Sequence, residues 1–347
     1  MADSMLSQIA AKILKESLHV KKGQTITVET WNTGLPLAKE VVKQARRMGC
    51  LPVTVFEDEN AYVDGVKNTP GEFLGQMGKH EYAMLATTDA YVFIPGPPLG
   101  AYYGRISRKQ YADSTRYNNS WYEAAEKAKL RGVRLSYGYV GRDLARYLGK
   151  STGAVAAGQL KGILNDFGRI GRKGRAIEHK LKDGAKASIS TEGAELRFKL
   201  KGATTVEDGI VDDGDLSKGE NMAYLPPGMV TKDVDPASAR GTVKLSPTLT
   251  RLGVAESLTL KFDKGRLVEW SSPKPAKFVE EVLKAIEPKN RVFNYLTIGL
   301  NDKLTPGLGA DRFVAGSVGI AGFGFVGMVH KASLNVGGVP VVKNGKL

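Results

Sequence analysis

Four histidines, a single cysteine and one acid-rich loop are the parts of this 347-residue chain whose side chains could do chemistry. His19, His80, His179 and His330 lie far apart, and no His-Glu-x-x-His, Cys-x-x-Cys or Gly-x-Ser-x-Gly run gives any of them a partner. Metal-assisted hydrolysis and nucleophilic catalysis both need such groups gathered at short range. Cys50 opens the apolar stretch CLPVTVF with no histidine near it, and reads as core. The runs GRIGRKG (168–174) and GFGFVG (322–327) have the composition of a phosphate loop. Neither follows a clear strand and opens a helix in a first βαβ unit, so both read as packed or flexible backbone. The loop VEDGIVDDGDLSKGEN (206–221) offers carboxylates to a hard cation, but its spacing is not that of an EF-hand, and it reads as solvated. His330 lies in the apolar run FGFVGMVHKASL, where a buried, hydrogen-bonded imidazole is the expectation.

Charge is the other chemical resource, and it is concentrated. Residues 101–186 hold 19 Lys and Arg against 7 Asp and Glu, within a chain of 50 against 36. A local excess of this size sets up a field that attracts polyanions. Tyr102, Tyr103, Tyr111, Tyr117, Trp121 and Tyr122 are interleaved with the bases. Such rings stack on exposed nucleobases or pack against a helix. The competing reading of the bases is a solvated helical face without a partner.

The elements that must carry these residues fall into two kinds. Residues 5–17 put Met5, Ile9, Ile13 and Leu14 on one helical face. QTITVE (24–29) reads as a strand, and a helix capped by Thr33, with Pro36 in its first turn, runs to Met48 and stops at Gly49. LPVTVF (51–56), a helical region at 70–86, AYVFI (90–94), a polar helical region at 107–131 and VRLSYGYV (133–140) continue the alternation. That order predicts a parallel sheet covered by helices. From Arg142 to Lys182 the chain reads as helical and basic. Ile163, Phe167, Ile170, Ile177 and Leu181 form one apolar stripe, leaving Arg169, Arg172, Lys173, Arg175, Lys180 and Lys182 on the outward face. Gly168, Gly171 and Gly174 mark where this helix should break or kink, since each costs about 1 kcal/mol relative to Ala. Beyond 186 strands dominate. AKASIS pairs with AELRFKLKG, SLTLKF with RLVEWS around Gly265, and LNV with VPVV around Gly337-Gly338, with one helix at 275–287.

Length suggests two domains, placed at 1–184 (α/β, parallel sheet, ending in the basic segment) and 185–347 (α+β, strand-rich). The single cysteine fits a reducing compartment. The start MADSMLSQIAAKILKES is not a secretory leader, and no stretch approaches the ~18 apolar residues of a membrane span. A cytoplasmic, soluble protein is the expectation.

Several segments, in order along the chain, resemble the aminopeptidase T family of thermophilic metalloaminopeptidases. VKKGQTITVET and the helix ending ARRMGC are similar to its opening "V-x-x-G-x-x-V" strand and "A-x-x-x-G-A" helix. AELRFKLKG resembles "G-T-D-L-x-F-x-L-x-G", and GENMAYLPPGMVTKDVDPASARGTV resembles "N-x-P-x-G-E-V-F-T-x-P" with its following "G-T". NYLTIGLN resembles "A-E-F-G-I-G-T-N", GSVGIAGFG resembles "G-T-x-H-I-A-L-G", and VHKASL resembles the closing "H-x-D" strand. The resemblance implies the two-domain fold above, a homodimer, and a centre of two divalent ions such as Zn or Co held at five positions. Those positions fall on Met229, Tyr295, Gly319, His330 and Ala332, of which only His330 has a ligand side chain. A one-residue slip brings in Asn294, Asn301 or Lys331, which replace little. A metal pair needs several N or O ligands. The resemblance therefore implies a relative with a degenerate site, with no catalytic residue and no cofactor. Its work would be binding RNA or a ribonucleoprotein through the basic face. The alternative is a metal-dependent aminopeptidase whose ligands lie elsewhere, and a metal-free enzyme is the weakest reading, with no nucleophile–base pair to name.

Overall fold

The computed structural model describes residues 2–98, 105–250 and 253–347. Tyr102 and Tyr103 lie outside the described residues, as does the side chain of Tyr111. Backbone proximity divides the chain into two compact units, Met1–Leu164 with Gly209–Pro226, and Asn165–Asp208 with Pro227–Leu347.

The first unit opens with α1 (Ala2–Lys12), extended by a π turn over Ile13–Ser17, and Ile9, Ile13 and Leu14 are buried on the face the periodicity predicts. Strands β1 (Thr25–Trp31), β2 (Leu51–Glu57), β3 (Ala90–Ile94) and β4 (Arg131–Leu135) alternate with α2 (Leu35–Arg47), α3 (Glu59–Asn68), α4 (Lys79–Thr87), α5 (Arg108–Ser114) and α6 (Arg116–Lys127). Helices α7 (Arg142–Tyr147), α8 (Thr152–Ile163) and α9 (Phe167–Glu178) follow. Then come β5 (Lys186–Thr191) and β6 (Ala194–Glu207) of the second unit, before α10 (Asp213–Ser217) and β7 (Met222–Leu225) return to the first. The sheet is parallel with order β2-β1-β3-β4-β7. Its fifth strand was not expected. MAYL is too short to announce itself, and only pairing with β4 makes it a strand.

Local expectations fail where close packing overrides pattern. The turn before α2 is a 3-10 turn over Asn32–Gly34, and Gly34, not Thr33, precedes the helix. A Cβ on Gly34 would lie 2.4 Å from Thr30 Oγ1 and 2.5 Å from Ile94 Cγ2. The strand expected at 133–140 ends at Leu135 and becomes a 3-10 turn, because Gly138 packs where its Cβ would lie 2.0 Å from the Pro95 carbonyl oxygen. The basic segment is three helices, and α9 runs unbroken through its glycines. Gly174 and Gly171 are close-approach positions: added Cβ atoms would meet Val206 Cγ1 at 2.3 Å and Asp208 Oδ2 at 2.5 Å. The loss of helix propensity is offset by packing against the end of β6.

The second unit is an antiparallel sheet. Its further strands are β8 (Met229–Val234), β9 (Arg240–Lys244), β12 (Thr259–Asp263), β13 (Arg266–Ser271), β14 (Tyr295–Gly299), β15 (Val318–Ala321), β16 (Gly327–Val329), β17 (Ser333–Val336) and β18 (Val339–Val342). β10 (Thr248–Thr250) and β11 (Gly253–Ala255) form a separate ribbon. The main path is β13-β12-β9-β6-β8-β14-β15-β16, with β5, β17 and β18 attached through β6. The three predicted hairpins form, turning at Gly193, Lys264-Gly265 and Gly337-Gly338, all with positive φ. Phe198, Phe262, Phe293 and Phe323 interlock in the core with α11 (Lys277–Ala285), which contributes Val279 and Leu283. Ile170, Ile177 and Leu181 of the predicted stripe belong to this same core. The dividing line therefore differs from a cut at residue 184: α9 packs with the second unit, because that is where its apolar stripe is buried.

Candidate functional site

Three of the five positions that the resemblance assigns to metal ligands, Met229, Tyr295 and Gly319, lie on neighbouring strands of the second sheet, and His330 and Ala332 follow in the turn between β16 and β17. In β8, β14 and β15 the register sets Thr231 opposite Thr297 and Thr297 opposite Gly319, and Met328 of β16 stands opposite Gly319. Opposed residues of antiparallel strands share a face, as do residues two apart along one strand. Met229, Tyr295 and Gly319 therefore line one face with Thr231, Thr297 and Met328. Along it they are spread out. Met229 pairs with Gly299 and Tyr295 with Asp233, opposite ends of the β8–β14 ladder, which puts them roughly 14 Å apart at ~3.4 Å per residue.

The space beside Gly319 is filled. A Cβ there would lie 2.2 Å from Thr297 Oγ1 and 3.1 Å from Met328 Sδ. Thr297 is 3% exposed, and its hydroxyl is buried with no hydrogen-bond partner among the described residues. His330 Nε2 lies 3.2 Å from Asp311 Oδ1, an oxygen that also accepts the Gly307 N–H at 2.8 Å. The His330 backbone N–H donates to Ser246 Oγ at 2.8 Å. It is hydrogen-bonded as expected from the apolar run but half-buried instead of buried, and it ties two loops together. Ala332 is fully buried in the core. Among the described residues no three His, Cys, Asp or Glu side chains come together closely enough to hold a metal ion.

Beside this face, the TIGLN run supplies a polar hub. Asn301 is fully buried; its amide donates to the Pro227 carbonyl at 2.8 Å, and its Oδ1 accepts from Asn165 Nδ2 at 2.8 Å and from the Lys303 N–H at 3.1 Å. Pro227 leads into β8 and Asn165 into α9, so one side chain fixes the entry to both. Replacing Asn301 with Ala removes all three bonds; Asn165 keeps Asp302 and Lys303 is exposed, but the Pro227 carbonyl loses its side-chain donor at a buried residue. We expect a loss of about 2 kcal/mol in urea unfolding, and an unchanged midpoint would show that the hub is not structural.

The bases of α9, and Lys180 and Lys182 just beyond its end, are only partly free. Arg169 Nη2 lies 2.8 Å from both carboxylate oxygens of Asp302 and 3.2 Å from Asn165 Oδ1. Lys173 is 3.8 Å from Asp302 and Arg175 is 3.7 Å from Asp208. Arg172, Lys180 and Lys182 are exposed. Acids from distant parts of the same unit thus neutralise half of the outward face, and Arg169 serves the fold. The described aromatics among the bases prove to be packing residues. Trp121 is buried, edge-on to Tyr91 at 5.1 Å and to Tyr122 at 5.3 Å. Tyr117 donates its hydroxyl to Glu81. Trp121 is closed to nucleobases, and Tyr117 and Tyr122 are half-buried.

A cluster the sequence did not reveal lies on the first unit's sheet. Glu29 of β1 stands beside Phe93 of β3, and Phe93 beside Arg134 of β4. The Tyr91 hydroxyl donates to Glu29, and Arg134 donates to the Tyr139 hydroxyl with its guanidinium 5.5 Å from the Phe93 ring. Glu29 keeps some exposed surface, yet its carboxyl is enclosed. Burial pushes that carboxyl up to about 7; the Tyr91 hydrogen bond opposes the shift, and the negative charges of Glu81 and Glu57 add to it. Burial likewise raises Glu57 and the hydroxyls of Tyr91 and Tyr117. In TITVE the glutamate looks like an outward strand residue, and only the covering helices enclose it.

The sequence matches no family profile and no curated protein sequence. Solved structures do share its fold. Wild-type AmpT from Thermus thermophilus superposes with a TM-score of 0.71 at 14% identity, covering 100% of this chain and 99% of that one. The 2,5-dihydroxypyridine dioxygenase of Pseudomonas putida KT2440 superposes with a TM-score of 0.64, also at 14% identity, covering 100% and 98%. The chain therefore has the aminopeptidase-like two-domain fold, a parallel α/β unit with an antiparallel strand-rich one. At this identity the likeness is one of fold. Among the described residues no helix is long and apolar enough to cross a membrane.

Proposed function

We propose that this chain is a non-catalytic protein of the aminopeptidase-like fold that binds a polyanion, RNA or a ribonucleoprotein surface, and does so as a homodimer. Two structures of this fold bear names of different chemistries, so the fold alone does not choose a reaction. The observation that carries the reading is the Thr297–Gly319 pair. The family pattern has Gly and His where this chain has Thr and Gly, and these two positions are directly opposed in the sheet. The side chain has moved across the ladder, filling the room that an imidazole would need. Met229, Tyr295 and Ala332 bring no carboxylate or imidazole to the other positions, and His330 is engaged with Asp311. These residues do not fit a metal pair. The binding half of the proposal draws on the concentrated positive charge of residues 101–186 and on the exposed Arg172, Lys180 and Lys182.

Purification in medium supplemented with Zn, Co or Mn, followed by elemental analysis, tests the first half. We expect no stoichiometric transition metal, and hydrolysis of aminoacyl reporter substrates at background with added Co or Zn. Two ions per chain, with activity lost on chelation and restored by metal, would establish the aminopeptidase instead.

A further inference from the structure

The second unit carries a basic groove on strands other than those of Met229, Tyr295 and Gly319. Strands β5, β6, β9 and β17 lie side by side, with Ser188 opposite both Arg197 and Asn335, Arg197 opposite Arg240, and Lys186 opposite Lys199. These side chains share the solvent face of the sheet, while Ala187, Ile189, Leu196 and Phe198 fill the core side. They line a concavity of about 510 Å³ that holds Lys186, Arg197, Lys199 and Arg240 and no carboxylate. We infer that this concavity is a binding groove for the phosphate backbone of single-stranded RNA; the inference rests on the polyanion reading and assigns it a place.

Three features support it. Like charges directly opposite one another on a sheet are destabilising, yet Lys186 faces Lys199 and Arg197 faces Arg240. Arg197 and Arg240 have acids alongside, Glu195 at 2.6 Å and Asp263 at 3.6 Å. Lys186 and Lys199 have no ion pair among the described residues and stand exposed. A bound polyanion relieves the repulsion that the fold leaves in place. Second, the cations are arrayed rather than converged on a point. They span three strands, about 10 Å at ~4.8 Å per strand spacing, which suits successive phosphates better than one small anion. Third, the neutral groups beside them, Ser188 and Asn335, both donate and accept, as contacts to a ribose 2′-hydroxyl require. Phe198, the aromatic lining residue, is 3% exposed and cannot stack on a base. The groove therefore reads backbone, not sequence.

The test measures binding of a labelled oligouridylate to the full-length protein over a range of salt. Three proteins are compared: the unaltered chain, a groove variant with Lys186→Gln, Lys199→Gln and Arg240→Gln, and a helix variant with Arg172→Gln, Lys180→Gln and Lys182→Gln. We expect the groove variant to bind roughly tenfold or more weakly. Its slope of log affinity against log salt should be smaller by roughly 2, at about 0.7 for each single-strand phosphate released. It should be about as stable to heat as the unaltered chain, because the Lys186–Lys199 repulsion it removes offsets the exposed Arg240–Asp263 pair it loses, so weak binding will not reflect unfolding. The helix variant should lose less. If the unaltered chain binds and the groove variant matches it in affinity and slope, the groove inference is overturned while RNA binding stands. If the unaltered chain fails to bind at low salt, the polyanion reading itself is overturned.

Discussion

Replacing Glu29 with Gln should stabilise the protein at pH 8 and leave it nearly unchanged at pH 4.5. Glu29 has a folded-state pKa of about 7 against an ordinary value of 4.5. A carboxyl raised in this way holds its proton longer in the folded state than in the unfolded one. Its cost is therefore absent below pH 4.5, grows as pH rises, and is complete above about 7. At 1.36 kcal/mol per pKa unit, discounted for the surface Glu29 retains, the plateau is about 2–3 kcal/mol. Gln carries no charge to desolvate, and its Oε1 can still accept from the Tyr91 hydroxyl. Urea unfolding of both proteins at intervals from pH 4.5 to 8 measures the difference. The two curves should coincide at the acid end and diverge through the interval. Parallel curves would mean that the enclosed carboxylate costs nothing, and that Arg134 and water serve it better than the packing suggests. The cost would also mark this cluster as one the fold keeps despite a stability penalty, at the C-terminal half of parallel strands where ligands of such sheets commonly sit.

How much of this was legible beforehand depends on the range over which residues act. The parallel sheet follows from strand-helix alternation, two hairpins follow from their glycines and the β5–β6 pair from its alternation, because period and turn chemistry are local. Strand β7 did not follow, since Met222–Leu225 is a strand only through β4. The unbroken α9 ran against the propensity of its glycines; Val206 and Asp208 are the reason, and both lie beyond the helix in sequence. The inward stripe holds, because Ile170, Ile177 and Leu181 are buried, but the helix ends at Glu178 and leaves Lys180 and Lys182 beyond it. The outward face was incomplete as electrostatics, because Asp302, 133 residues from Arg169, could not be paired with it from spacing. The basic groove had a visible signal in the alternation of KASIS and ELRFKLK, but which lysines face each other is a matter of register. The aromatics among the bases carried an ambiguous signal, and burial of Trp121 resolves it toward packing.

The largest single loss should come from placing a histidine at position 319 alone. Gly319→His must place a ring where Thr297 Oγ1 and Met328 Sδ now stand, at 2.2 and 3.1 Å from the first added carbon. The Met328 thioether can move, but Thr297 is β-branched and held in a central strand. Overpacking of this kind costs about 3 kcal/mol or more. Thr297→Gly alone should be mild. It costs roughly 1 kcal/mol for Gly in a strand, partly offset by removing a buried hydroxyl that has no partner among the described residues. In the double variant the ring takes the vacated space, so the two changes should be strongly non-additive, with a coupling of about 2 kcal/mol in favour of the pair. Denaturant midpoints of the four proteins measure it. Additive losses would mean that Thr297 and residue 319 do not compete for one volume, and the exchange across the ladder would lose its meaning. The double variant should still hydrolyse no aminoacyl substrate with added metal. Met229, Tyr295 and Ala332 remain without donors, and two imidazoles, one engaged with Asp311, are too few for a metal pair. Metal-dependent turnover in that variant would place the missing ligands elsewhere on the same face, and the protein would be an enzyme one substitution pair away from activity.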